Sequence, residues 1–226
     1  MLLFPFWYLI FLLSLTCHEA AHALVAYVGG DRTAYLGGQV SLNPLPHVRR
    51  EPVGAILVPL LTYFYMGWTM GWASAPYDPE WEDRHPKRSA VMALAGPMAN
   101  LGLLVLAFIV LRSGIVMGVW TLPESIPMDR LVVPLAENAG LLEGVGRLFS
   151  VMLTLNLVLF LFNLIPLPPL DGASVLAGFF EPARRMTDWL RGSPMGGWIG
   201  ILAAWMIFPY VFFPVWNWLL ARLYAG

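Results

Sequence analysis

Three ionisable side chains fall within five residues of an otherwise uncharged apolar stretch, in the run His18-Glu19-Ala20-Ala21-His22. On a helix, residues i and i+4 share a face with Cβ atoms about 5–6 Å apart. Two imidazoles so placed can converge on one ion at Zn–N distances of about 2.0–2.1 Å. Glu19, next to His18, is close enough to serve as general base toward a water at that ion. Ionisable groups inside a membrane are costly, so each marks a candidate functional position. The alternative is an interfacial His/Glu cluster reaching toward headgroups, or a pair of satisfied core histidines.

Two histidines leave a catalytic zinc site one protein ligand short, since such sites usually combine three with an open position. A third candidate lies in Asn163-Leu164-Ile165-Pro166-Leu167-Pro168-Pro169-Leu170-Asp171-Gly172. The prolines end regular helix, which puts Asp171 on irregular backbone at the depth of His18 and His22. An Asp before Gly is equally a turn residue, so spacing alone leaves its role open. Asn163 can orient a substrate or stabilise an oxyanion, or cap its own helix. In Gly96-Pro97-Met98-Ala99-Asn100, Gly96 and Pro97 read as packing residues. Asn100 reads as an interhelical hydrogen bond or part of the site. His47 is expected at headgroup level in a loop, with a supporting role at the site as the other reading. His85, among Arg84, Lys87 and Arg88, reads as part of a solvated basic loop.

The elements that must position these residues follow from composition. Of 226 residues, 58% are hydrophobic and 12% charged, and the mean hydropathy is +0.68. Soluble domains carry about twice that charge, so the chain is an integral membrane protein in contact with the lipid bilayer. A net charge of −1 gives no field for nucleic acid. A single cysteine, Cys17, excludes an intrachain disulfide and a cysteine zinc ribbon. Apolar stretches cover about 1–28, 53–73, 90–111, 149–165 and 198–221. The expected fold is an all-α polytopic membrane protein of four to six membrane-embedded helical segments, forming one domain over 1–226 with its core in about 1–178 and a last hydrophobic helix at about 198–221. The first helix lacks a basic leader and is expected to be retained.

Basic residues concentrate in the connections 29–52 (Arg32, Arg49, Arg50), 74–89 (Arg84, Lys87, Arg88) and 166–197 (Arg184, Arg185, Arg191). The connection 112–148 balances Glu124, Asp129, Glu137 and Glu143 against Arg112, Arg130 and Arg147. The positive-inside rule puts the first three in the cytoplasm and both 112–148 and the N-terminus outside. The stretch 53–73 then has both flanks inside, so it is either a re-entrant segment bent at its Gly and Pro residues or an ordinary span beside one misread loop. Thr33–Leu42, with Gly37 and Gly38, reads either as a short β-hairpin near the active site whose edge could pair with an unwound substrate or as a plain loop.

Taken together, His-Glu-x-x-His, Gly-Pro-x-x-Asn and Asn-Leu-x-Pro-x-Pro-x-Leu-Asp-Gly in this order resemble the site-2 proteases, the intramembrane zinc metalloproteases. The resemblance runs from residue 1 to about 178 and includes Leu42-Asn43-Pro44…His47 and Gly71-Trp72-Ala73…Pro76. It implies one zinc ion held by His18, His22 and Asp171, with Glu19 as catalytic base and Asn163 as a catalytic substrate-orienting residue. It also implies a transmembrane protein as substrate, cut in or near its span. Ala173 stands where many relatives have a second glycine, and Val48-Arg49-Arg50-Glu51-Pro52 replaces the usual acidic Asp-Pro. No connection has room for a PDZ domain. A prokaryotic plasma membrane is the expected location. A non-catalytic zinc scaffold would not need Glu19, and an ion-coupled transporter would show paired repeats, which are absent from the sequence.

Overall fold

The computed structural model describes residues 4–136 and 139–225; Glu137 lies outside them, as do Met1–Leu3. Four helices in this range are long and apolar enough to cross a membrane: α1 (Phe4–Gly29), and three later ones at Pro86–Val116, Gly140–Asn163 and Gly196–Leu223. Between the first two lie α2 (Thr33–Leu36), α3 (Pro44–Arg50), a π-helical turn (Val53–Leu57), α4 (Val58–Met66) and α5 (Pro79–Arg84). The second long helix, α6 (Pro86–Val116), is followed by a two-stranded antiparallel pair, β1 (Trp120–Thr121) and β2 (Val133–Pro134). Then come α7 (Gly140–Asn163), α8 (Asp171–Phe179), α9 (Glu181–Arg191) and α10 (Gly196–Leu223).

The long helices outrun their apolar runs where charges find partners. α7 begins at Gly140 rather than near 149 because Arg147 pairs with Glu143 one turn earlier (3.2 Å) and with Asp129 (3.2 Å). α6 starts at Pro86, where a missing N–H costs nothing. α7 is the central helix, buried at every residue from Ser150 to Leu157. α10 covers one side. It turns Gly196, Gly200, Ala204, Phe208, Phe212 and Trp216 inward and leaves Trp198, Leu202, Met206 and Tyr210 exposed for lipid. The small inward residues sit where the proline-rich segment passes, since a Cβ on Gly200 would overlap the Pro168 carbonyl.

The stretch 53–73 folds back on itself as a hairpin. α4 is too short to span and stops at Gly67, whose φ of 79° suits glycine. The chain then returns extended. Trp72 N–H donates to the Gly54 carbonyl (3.2 Å), and Gly54 and Gly71 lack the side chains that would block this approach. Pro59 has no N–H for the Ala55 carbonyl four residues before it. The Tyr8 hydroxyl donates to that carbonyl instead (3.3 Å).

A β-hairpin over Thr33–Leu42 does not form. Thr33–Leu36 is a helical turn, and the strand pair present is β1–β2, packed where Trp120 fills the space above Gly114 at the far end of α6. The helical turn is anchored by Asp31, which is buried and accepts from Thr33 N–H (2.8 Å), Thr33 Oγ1 (2.6 Å) and Asp78 N–H (2.9 Å). Burial alone would raise the Asp31 carboxyl, but these three donors outweigh it and hold the group below the ordinary carboxylate value. The folded state thus gains stability above the unfolded pKa and loses it as pH falls toward the lowered one. Asp31→Asn is expected to lower thermal stability at pH 7 and to narrow that gap on acidification; equal melting temperatures for variant and parent at neutral pH would contradict this.

Candidate active site

α1 buries His18, Glu19 and His22 and presents the two histidines to the face of α6 that carries Met92, Gly96 and Asn100. A Cβ on Gly96 would overlap the Nε2 atoms of both His22 and His18. This residue, expected to serve packing alone, is what admits the two imidazoles. Asp171 arrives as the first residue of α8 after the irregular 164–170 segment. Gly172 lets that turn close, because a side chain there would overlap the Leu164 carbonyl.

The three side chains meet. His18 Nε2 and His22 Nε2 are 3.0 Å apart, and Asp171 Oδ2 lies 3.1 Å from the first and 3.4 Å from the second. Neighbouring donors of a tetrahedral ion with bonds of about 2.0–2.1 Å sit about 3.3–3.4 Å apart. The His22 Nδ1–H donates to the Met92 carbonyl (2.7 Å), which can only accept, so in the neutral ring the lone pair is on Nε2. Asp171 Oδ2 is buried with no hydrogen-bond partner, as is Glu19 Oε2. Buried polar atoms are otherwise nearly always satisfied. Two nitrogens and a carboxylate oxygen form the donor set of a catalytic zinc site, and these residues fit that ion.

Asn163 does not join the cluster by hydrogen bonding. It ends α7 and its Nδ2 donates back to the Leu159 carbonyl (3.0 Å), which is the helix-capping alternative. His47 lies on a helix and not in a loop, and it is not among the cluster. It is 1% exposed on α3, and its Nε2 donates to the Ser41 carbonyl (3.0 Å), closing the loop that Asn43 opens by capping α3. His85 sits between α5 and α6, against the Trp81 carbonyl (3.3 Å). Asn100 is fully buried, with its Oδ1 2.6 Å from His18 Nδ1. Two residues absent from the sequence reading stand behind it: Asn156 and Ser14, both fully buried. The signal for Asn156 was available, as a carboxamide inside an apolar span.

The chain is similar to several known proteins. YwhC of Bacillus subtilis (strain 168), a candidate zinc metalloprotease by name, is 35% identical over 184 residues, 81% of this chain and 73% of its own. Rip2 of Mycolicibacterium smegmatis, similarly named, is 29% identical over 171 residues. Rip2 of Mycobacterium tuberculosis (strain H37Rv) is 30% identical over the same length. The match takes in 76% of this chain and just over half, 56%, of each Rip2. No solved structure matches the chain. The description of peptidase family M50 matches residues 6–207, from the first helix through the segment that delivers Asp171, and over that breadth the chain belongs to peptidase family M50, the family of the site-2 proteases.

Proposed function

We propose that the chain is an intramembrane endopeptidase that hydrolyses peptide bonds in or near the transmembrane segments of membrane-protein substrates, in the manner of regulated intramembrane proteolysis. One zinc ion would be held by His18, His22 and Asp171. The observation that carries this reading is the convergence of three buried ligand atoms from α1 and α8, each within 4.8 Å of the others, beside a buried carboxylate with an unpartnered oxygen. Zinc bound there supplies Lewis acidity toward the scissile carbonyl and lowers the pKa of water toward about 7. Glu19 accepts the proton of the attacking water and returns it to the leaving amine. A carboxylate buried one residue after His18 favours this reading over a scaffold that only binds metal. Asn163 has an N–H beyond the one given to Leu159, and this would orient the substrate backbone.

The basic connections flanking α5 and α9 meet at one end of the bundle, where Arg184 pairs with Asp83 (2.7 Å) and Arg191 with Glu82 (3.4 Å). By the positive-inside rule that end faces the cytoplasm, which gives the chain an external N-terminus and a site opening inward. A prokaryotic plasma membrane suits this orientation. The re-entrant 53–73 hairpin lies along α1, with Thr69 Oγ1 donating to the Trp7 carbonyl (3.4 Å). Irregular backbone at membrane depth is tolerated where it is covered by protein or lines a water cavity.

The test is purified protein in proteoliposomes with a single-span substrate. One zinc per chain is expected, with cleavage abolished by a chelator and restored by zinc. Asp171→Ala should lose zinc stoichiometry and cleavage together. Cleavage indifferent to the chelator, or full zinc occupancy in Asp171→Ala, would overturn the assignment.

A further inference from the structure

We propose that Asn156, together with Ser14, is a positioning residue that fixes which nitrogen of His18 carries the proton; this rests on the zinc reading above. A neutral imidazole can ligate through Nε2 only if its proton sits on Nδ1. For His22 a backbone carbonyl settles the matter directly. The partner of His18 Nδ1 is a carboxamide, and a carboxamide offers either an acceptor or a donor according to which way it is turned.

What turns Asn100 lies one residue further out. Asn156 Nδ2 donates to the Met152 carbonyl (2.9 Å) and to Ser14 Oγ (2.9 Å). The carbonyl can only accept, so the amide nitrogen of Asn156 must face it. The Asn156 Oδ1 is thereby turned toward Asn100, whose Nδ2 donates to it (2.9 Å) and to the Ser14 carbonyl (3.4 Å). That leaves Asn100 Oδ1 facing His18, and the 2.6 Å contact then requires a proton on His18 Nδ1. Each link has one polarity. Turning either amide over would set two carbonyl-type oxygens against each other, in a region where Ser14, Asn100 and Asn156 are all 0% exposed and no solvent can compensate. The chain runs from an acceptor on α7, across α6, to a ring on α1. It gives Asn156, the one carboxamide of the buried 150–157 stretch, a task that packing does not explain.

Outer partners of this kind are worth about 10–100-fold in metal affinity. The experiment measures zinc affinity by competition with a chromophoric chelator on the full chain in detergent, and Co²⁺ absorption as a ligand-field readout. Asn156→Leu is expected to weaken zinc about 10–100-fold, because only the long 3.4 Å bond to the Ser14 carbonyl then opposes turning the Asn100 amide toward His18. Asn100→Asp places an acceptor-only group against His18 Nδ1 whatever α7 offers. The double variant Asn100→Asp/Asn156→Leu should therefore regain affinity to within a few-fold of the parent and recover its Co²⁺ spectrum. A packing defect at position 156 would not be repaired by a carboxylate at 100. If Asn156→Leu does not fold, Asn156→Ser removes the same amide with no added apolar bulk and carries the same expectation. Parental affinity in the position-156 variant, or a loss that Asn100→Asp fails to rescue, would overturn the proposal. A parent chain that binds no zinc would instead sink the zinc reading itself.

Discussion

Glu19→Gln is expected to keep its zinc and lose its peptidase activity, with kcat falling about 10²–10⁴-fold, the range that a positioned general base supplies. That corresponds to about 3–5 kcal/mol at the transition state. The substitution changes one oxygen for an amide of nearly the same volume, so the contacts of α1 are kept. Glu19 is 4% exposed and its Oε2 has no hydrogen-bond partner, so no bond to that oxygen is broken. A neutral amide is also less costly to bury than a carboxylate, and the melting temperature should hold or rise. This is the pattern of a group kept for chemistry at some cost in stability. The loss should appear in kcat with KM little changed, since the base acts on the transition state and not on substrate binding. The check is a zinc-loaded variant assayed on a single-span reporter beside the parent. Cleavage at the parental rate would remove Glu19 from the mechanism.

The parts of this site that were legible in the sequence are those for which chemistry dictates residue type and spacing together. His18, Glu19 and His22 could be placed on one helix because i,i+4 geometry is local. The four spans could be placed because lipid leaves the backbone few options. Asp171 required tertiary information. Nothing local distinguishes it from a turn aspartate, and it is the packing of 164–170 beneath α10 that carries it to the histidines. Thr33–Leu42 misled because its two glycines suit a hairpin and a loop equally. The deciding feature was Asp31, whose three donors commit the chain to a helical turn. Asn156 and Ser14 were passed over because a single small polar residue in an apolar run has no spacing signature, although its presence in a span is itself informative.

Gly96 went unrecognised for a different reason, and it supplies the second large effect. Small residues in membrane helices most often serve helix–helix approach, and so a glycine beside a proline looks structural. Here the approach is of α6 to a pair of rings, and the space above Gly96 is occupied by the two Nε2 atoms proposed as zinc ligands. Neither can yield without leaving its place. His18 is tied at Nδ1 to Asn100 and His22 to the Met92 carbonyl, so a methyl at 96 must either tilt both rings or push α1 away from α6. Misplacement by about 1 Å can cost on the order of 10²-fold in rate, and zinc affinity should fall by at least the about 10–100-fold expected for a lost outer partner. Gly102→Ala, six residues on in the same helix, is the matching control, since a Cβ there meets nothing within 4 Å. By helix propensity it should stabilise the chain by about 0.5–1 kcal/mol and leave zinc binding unchanged. Gly96→Ala gains the same propensity, so a weaker zinc affinity in that variant alone isolates the clash from any general effect of alanine in α6. If both variants bound zinc like the parent, the imidazoles could not occupy the positions described, and the close fit of α6 to the site would be refuted.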